Sequence, residues 1–378
     1  MPQISPLSGP TFQPFSAISP TILFQPPNGV GLGHISRLAA IAVAVKQRAP
    51  RARTPFLVEG GDHQLLQSMK LPFLTVPHRS EFKKSSWAAW NDTERKSISR
   101  YLAESTLEAL MPQMVVFDCI PLKPIIRAAV ARSIPLVMCI RKVGDPAKYF
   151  TDLLGMERYF DSFIVPHTSE EFPVPPPFLA KCRFVGRIVR PGAIRPAAPT
   201  ENGAKRVLIC GGAGGFPGTV EFYNMAQVAV AECRTRIPAL ETTLITGPLF
   251  RDWRNLNMID GIRVIPFEPE MASAYASSDL VICQAGYNTV SELLQLGTPC
   301  ICVPAPTVLD SQFHRATEAA GTSPHFHILE NANSSELSAK MVDALLLDTP
   351  RPVIGELSSP GAGLAAEALL HIIANQSR

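Results

Sequence analysis

Residues 279–304 constrain the fold more than any other part of the chain: Asp-Leu-Val-Ile-Cys-Gln-Ala-Gly-Tyr-Asn-Thr-Val-Ser-Glu-Leu-Leu-Gln-Leu-Gly-Thr-Pro-Cys-Ile-Cys-Val-Pro. Leu280 to Cys283 reads as a buried strand, and Gly286 sits in a turn that opens a helix carrying Glu292. Gly297-Thr298-Pro299 ends that helix, and a second buried strand follows from Cys300. A strand that runs through a glycine into a helix aims free backbone N–H groups and the positive helix end at whatever lies in front. The usual occupant is a phosphate.

The same strand, loop and helix pattern recurs along the chain. Thr21 to Gln25 is a short strand, residues 26–34 form a glycine-rich loop, and a helix follows with apolar Ile35, Leu38, Ile41, Ala42 and Val45. Further strands are predicted at 54–59, 71–76, 114–118 (ending in Asp118), 134–140 and 163–167, the last closing the first sheet. A proline-dense stretch from Pro173 to Pro199 then interrupts the alternation. After it the pattern restarts, with a strand at 206–210, a glycine loop at 211–217, a helix through Cys233, and strands at 240–246, 262–266, 280–283 and 300–304. Such alternation predicts an α/β protein with two parallel, doubly wound sheets. The predicted organisation is a loose tail (1–20), a Rossmann-like N-terminal domain (21–188), a linker (189–204), a second Rossmann-like domain (205–355), and a C-terminal helix (356–378) that packs back toward the first domain.

At 378 residues and 46% hydrophobic content the chain can build two cores. A net charge of +3, with basic and acidic residues interleaved, argues against a nucleic-acid partner. The chain has no long uncharged apolar run, and its start lacks the basic opening and apolar core of a secretory leader, so a cytoplasmic protein is expected. The eight cysteines form no CxxC pair and read as reduced core residues. Residues 79–100 hold six basic and three acidic residues together with Trp87 and Trp90. That segment reads as a solvated helix face, or as a surface for an acceptor or for peripheral membrane contact. No sequence signal bears on oligomeric state.

Four local motifs narrow the function: Asn28-Gly-Val-Gly-Leu-Gly-His34, Gly211-Gly-Ala-Gly-Gly215, Gln284-Ala-Gly-Tyr-Asn-Thr-Val-Ser-Glu292 and Asp310-Ser-Gln312. In order and spacing they resemble the family 28 glycosyltransferases of GT-B architecture, in which two Rossmann-like domains face a central cleft. The resemblance is nearly continuous from about Val207 to Pro304. It implies a nucleotide-sugar donor in the C-terminal half and an acceptor in the N-terminal half. By the same resemblance Gly33, Gly212, Gly214, Gly286, Tyr287, Asn288 and Thr289 surround the donor, and Glu292 accepts from ribose hydroxyls. Asp310 and Gln312 would hold the sugar, the backbone near Phe267 the base, and Arg190 the phosphates. One family member adds N-acetylglucosamine to a lipid-linked peptidoglycan precursor. Where that enzyme carries Arg-Ser-Gly-Ala, this chain has Gln284-Ala-Gly-Tyr-Asn288, and a small-molecule, natural-product or polysaccharide-precursor acceptor is expected.

Sugar transfer needs a base for the acceptor proton and a stabiliser for the departing diphosphate. His34, at a helix start after a glycine loop, fits the first task. Asp118, at a strand end, would orient His34 or serve as the base itself, and His167 ranks third. No Asp-x-Asp metal motif stands at a strand end, so no cofactor or metal is expected, and the nucleotide sugar, first of all UDP-N-acetylglucosamine, is the substrate. The rival readings are a nucleotide-sugar hydrolase or 2-epimerase on the same scaffold, and a non-catalytic donor-binding subunit.

Overall fold

The computed structural model describes residues 19–27, 31–60, 63–77, 91–195, 200, 203–306, 311–347 and 355–376. Trp87, Trp90 and Asp310 lie outside them, as do residues 1–18 of the proposed tail.

The first half alternates strands and helices. In chain order these are β1 (Ile22–Gln25), α1 (Gly33–Arg48), β2 (Phe56–Glu59), α2 (Gln64–Ser68), β3 (Phe73–Val76), α3 (Asp92–Leu110) and β4 (Met114–Asp118). They continue with α4 (Lys123–Val130), β5 (Leu136–Cys139), α5 (Pro146–Leu153), β6 (Ser162–Val165), α6 (Pro176–Leu179) and β7 (Cys182–Phe184). The seven strands form one parallel sheet in the order β3-β2-β1-β4-β5-β6-β7. Strand residues alternate between two cores: Ile22 and Phe24 face one, Leu23 the other. This is the period of two that a sheet covered on both faces requires.

After the two-residue strand β8 (Gly192–Ala193), the second half contributes β9 (Lys205–Cys210), α7 (Thr219–Arg234), β10 (Leu240–Ile245), β11 (Ile262–Ile265), α8 (Met271–Ser277) and β12 (Leu280–Cys283). It closes with α9 (Tyr287–Leu296), β13 (Cys300–Cys302), α10 (Gln312–Thr322), β14 (Phe326–Ile328), α11 (Ser334–Leu346), β15 (Glu356–Leu357) and α12 (Pro360–Gln376). Its sheet runs β11-β10-β9-β12-β13-β14, all parallel. In both sheets the winding direction reverses beside the first strand, between β1 and β4 and between β9 and β12. Crevices at such reversals are where α/β sheets hold ligands, and both are bordered by the glycine loops singled out above.

Two features differ from the sequence reading. The first sheet does not close at 163–167: β6 stops at Val165, and β7 pairs beyond it, with Phe163 opposite Cys182. Three residues, Cys-Arg-Phe, set among prolines are too few for alternation to show. The proline-dense connection also carries structure, because β8 pairs antiparallel with β15 just before α12. Helix α12 then crosses to the first half, where Ala362, Ala365, Ala366, Leu369, Leu370 and Ile373 join the core around α1. All eight cysteines are buried and free. Among the described residues no helix is long and apolar enough to cross a membrane.

Candidate active site

The N-terminal crevice gathers three side chains. Helix α1 begins straight after the glycine loop, so His34 occupies its first turn and Arg37 follows three residues later on the same face. Asp118 ends β4, and Cys119, at φ +57°, turns the chain sharply so that the Ile120 N–H returns to the Asp118 carbonyl at 2.6 Å. The Asp118 carboxylate is fully buried, and Arg37 grips both of its oxygens: Nε donates to Oδ2 and Nη2 to Oδ1, each at 2.9 Å. His34 Nδ1 lies 3.3 Å from Oδ1, short of an aligned hydrogen bond, and 22% of the His34 side chain remains exposed. Burial alone would raise the Asp118 pKa, but the Arg37 guanidinium and then His34 outweigh it and hold the carboxyl well below the usual range.

The C-terminal crevice is built from backbone. Gly212 and Gly214 sit at φ +69° and +80° in the loop after β9. Space forces the second of them, since a methyl on Gly214 would lie 2.2 Å from the Thr246 carbonyl. Gly286 precedes α9 and offers no side-chain cap, which leaves the N–H groups of the first turn open to a ligand. Glu292, one turn further along α9, is 2% exposed. Burial raises its pKa, partly offset by Arg190, whose Nε stands 3.9 Å from Oε1. Arg190 also donates from Nη1 to the Pro269 carbonyl at 3.3 Å, while its buried Nε has no hydrogen-bond partner. The Asn288 Oδ1 is likewise buried without one. Gln312, at the start of α10, accepts the Ala305 N–H on Oε1 at 3.0 Å. Thr289 faces the Tyr275 hydroxyl at 3.5 Å.

The two crevices meet. A methyl on Gly31, in the first loop, would lie 3.3 Å from the Phe216 ring of the second. Phe267 packs against the N-terminal core. Tyr287 reaches from the start of α9 into the first half, where its hydroxyl donates to the Pro166 carbonyl at 2.8 Å and its ring lies 5.5 Å below the Arg37 guanidinium. Lys142, just after β5, bridges to Glu318 of α10 at 2.8 Å.

Two of the residues expected around the donor make contacts within the protein. Tyr287, read as a donor contact, sets its side chain between the two halves. Arg190, read as a phosphate ligand, pairs with Glu292 and the Pro269 carbonyl. His167 is edge-on to Tyr287, and its Nε2 accepts the Lys142 N–H at 3.1 Å. Its remaining nitrogen points to Glu171 at 3.6 Å, and burial lowers its pKa, so it serves the interface as a neutral ring. Gly33 opens α1 with free space where a side chain would go.

Arg37 is the site residue that sequence reading missed. An arginine three positions after His34, on a helix face otherwise made of Ile35, Leu38 and Ile41, was the available signal. His34, Asp118 and Cys119 are the described residues whose donor atoms cluster closely enough to hold a metal ion. They suit one poorly. Burial, then Asp118, pushes the Cys119 thiol up to about 12, and Arg37 Nη2 stands 4.0 Å from its sulfur and 2.9 Å from Asp118. A cation there would face a guanidinium.

Residues 207–350 match the glycosyltransferase family 28 C-terminal domain. The UDP-N-acetylglucosamine–N-acetylmuramyl-(pentapeptide) pyrophosphoryl-undecaprenol N-acetylglucosamine transferase of Pelobacter propionicus is 34% identical over 187 residues, 46% of this chain and 47% of that protein. The chain thus spans about half the length of this relative. Among solved structures, MurG of Acinetobacter baumannii superposes with a TM-score of 0.53 at 17% identity, covering 94% of this chain and 100% of that one. A putative UDP-N-acetylglucosamine 2-epimerase of Listeria monocytogenes superposes with a TM-score of 0.58 at 14% identity, covering 94% and 96%. At these identities the superpositions establish the GT-B fold, which hosts more than one chemistry. The chain thus carries the C-terminal domain of the family 28 glycosyltransferases on residues 207–350, within a GT-B fold that spans both halves.

Proposed function

We propose that the protein is an inverting, metal-independent glycosyltransferase that moves a sugar from a UDP- or dTDP-sugar, first of all UDP-N-acetylglucosamine, to a hydroxyl or amine of a small-molecule acceptor. The observation that carries this reading is His34: a part-exposed imidazole, backed by a buried ionised carboxylate, on the helix whose Arg37 meets Tyr287 at the uncapped start of α9. His34 Nδ1 faces Asp118, so Nε2 is the nitrogen that takes the acceptor proton as the acceptor oxygen attacks the anomeric carbon. Asp118 then stabilises the imidazolium. Because Asp118 is fully enclosed and held by Arg37, it is a positioning residue and His34 is the base. The C1–O bond to the diphosphate breaks on the opposite face. The leaving charge falls on the first-turn N–H groups of α9 and on the glycine loop after β9. The Glu292 carboxylate accepts from the Arg190 backbone, and the unpartnered Arg190 Nε, 3.9 Å from Oε1, leaves a gap that a ribose hydroxyl would bridge.

Incubation with UDP- and dTDP-sugars and an acceptor panel tests the reading. Acceptor-dependent release of the nucleoside diphosphate is expected; sugar release or epimer formation without any acceptor would replace transfer with hydrolysis or epimerisation. The His34→Ala variant is expected to lose about 100-fold or more in kcat with donor affinity kept. Glu292→Ala should raise the donor KM by about tenfold, the scale of one charge-assisted hydrogen bond. Near wild-type turnover by His34→Ala would remove His34 from the base role.

A further inference from the structure

A cavity of about 820 Å³ opens beside His34 and lies wholly within the N-terminal half. Its inner wall is aliphatic: Leu57 from β2, Leu102 and Ala103 from α3, Ile125 from α4, and Leu153 and Met156 from the end of α5 and the turn after it. Leu57, Ala103, Ile125 and Leu153 are each at most 5% exposed. Of the charged lining residues, Lys123, Asp145, Lys148 and Asp152 are exposed and belong to the mouth, where Lys148 pairs with Asp152 at 2.9 Å. The polar groups away from the mouth are His34, the Glu59 carboxylate at the end of β2, the half-buried Arg141 and Ser99, the Cys119 thiol, and the Tyr149 hydroxyl, which donates to the Cys119 carbonyl at 3.5 Å.

This lining discriminates among acceptor classes. A saccharide carries hydroxyls on every face, and each one turned toward the aliphatic wall without a partner costs about 1–3 kcal/mol. In a lipid-linked saccharide the part nearest the reacting hydroxyl is again a sugar, while its hydrocarbon lies far from the base. Neither fits a cavity whose lining is mainly hydrocarbon. An apolar body does fit, because about 25 cal/mol is gained per Å² of apolar surface removed from water. The volume lies in the range of about 300–1,000 Å³ that holds one drug-sized ligand.

Building on the transferase reading above, we infer that the acceptor is an apolar small molecule, ring-based or short-chained. Its hydrocarbon body fills this cavity, and its single reacting hydroxyl or amine is presented to His34.

The test uses the full chain with UDP-glucose, UDP-N-acetylglucosamine and dTDP-glucose. One acceptor set is apolar (4-methylumbelliferone, a polycyclic phenol and decanol), the other polar (N-acetylglucosamine, its β-1,4 disaccharide and a prenyl-linked disaccharide). Binding of 4-methylumbelliferone is also followed by its fluorescence. At least about tenfold higher kcat/KM is expected for the apolar set, matching the loss of one unsatisfied polar group. Leu102 is half-buried and tolerates bulk, so Leu102→Trp should cut both apolar turnover and 4-methylumbelliferone binding by about tenfold with UDP affinity unchanged. Ala103→Phe is a second obstruction from the same wall, and a calorimetric transition of the N-terminal half kept near its wild-type temperature reports that each variant is folded there. Preference for the saccharides, unchanged apolar turnover in both variants, or an apolar set neither bound nor glycosylated would overturn the inference while the transferase reading stands. Failure of the wild-type chain to bind any of the three donors would overturn both.

Discussion

Arg37 explains why Asp118 can be both buried and ionised. A carboxylate removed from water needs compensation, and two 2.9 Å bonds from one planar guanidinium supply it. The Asp118 pKa is depressed in the folded protein, so the pair's contribution to stability is complete above the ordinary aspartate value of about 3.9 and is lost as the pH falls below it. Replacing Arg37 by Gln leaves the carboxylate in a dry site without its guanidinium partner. We expect a loss of about 3–5 kcal/mol in urea unfolding at pH 7. We also expect a smaller penalty at acid pH, because the wild-type pair has itself weakened there. Arg37→Lys, which cannot span both oxygens, should restore only part of the loss. Equal loss for Arg37→Gln at pH 3 and pH 7 would contradict this account. His34 and Asp118 were legible in the sequence because each sits at a junction, one at a loop-to-helix start and the other at a strand end. Arg37 was not, since a lone arginine in a helix ordinarily belongs to the surface, and its partner is 81 positions away.

At the scale of elements, the glycines after β9 and β12 stand in the same strand–turn–helix setting and differ in physical cause. Gly214 adopts φ +80° with the Thr246 carbonyl where a methyl would stand, so it is required by packing. Gly286 has an ordinary φ of −64°, and the nearest atom to an added methyl is the Thr289 hydroxyl at 3.7 Å. The fold tolerates a side chain there, and a phosphate seated on the α9 N-terminus would not. Gly286→Ala should therefore melt within about 1 kcal/mol of wild type yet raise the donor KM strongly. Gly214→Ala should lose more than about 2 kcal/mol of stability. Thermal melting with and without UDP separates the two, and an unchanged donor KM in Gly286→Ala would move the phosphate away from α9. Sequence reading recovered these loops because strand, glycine and helix are contiguous. It missed β7 and did not propose β14, each three residues long, because such strands are defined by their neighbours in the sheet rather than by their own periodicity.

For the molecule as a whole, the chain's last helix belongs to the core of its first half. Leu369 and Leu370 are fully buried against α1, and Arg48 of α1 pairs with Glu367 at 2.9 Å. The ion pair is part-exposed and worth little, so the hydrocarbon face secures the crossing. Among the described residues the links beside the cleft are single side chains: Tyr287, whose hydroxyl donates to Pro166 and whose ring meets Arg37 and His167, the part-exposed Lys142–Glu318 bridge, and Phe267 at the edge of the N-terminal core. The halves are therefore fastened firmly on the side of α12 and lightly at the cleft mouth, the arrangement a hinge needs if a donor is to enter. Leu369→Ala should cost about 2–5 kcal/mol, charged to the N-terminal half although the residue lies in the last tenth of the chain. Calorimetry with UDP gives the readout. UDP bound to residues 205–355 should raise one transition by mass action. The substitution should lower the transition that UDP leaves in place, and lowering of the UDP-responsive transition instead would assign α12 to the C-terminal core.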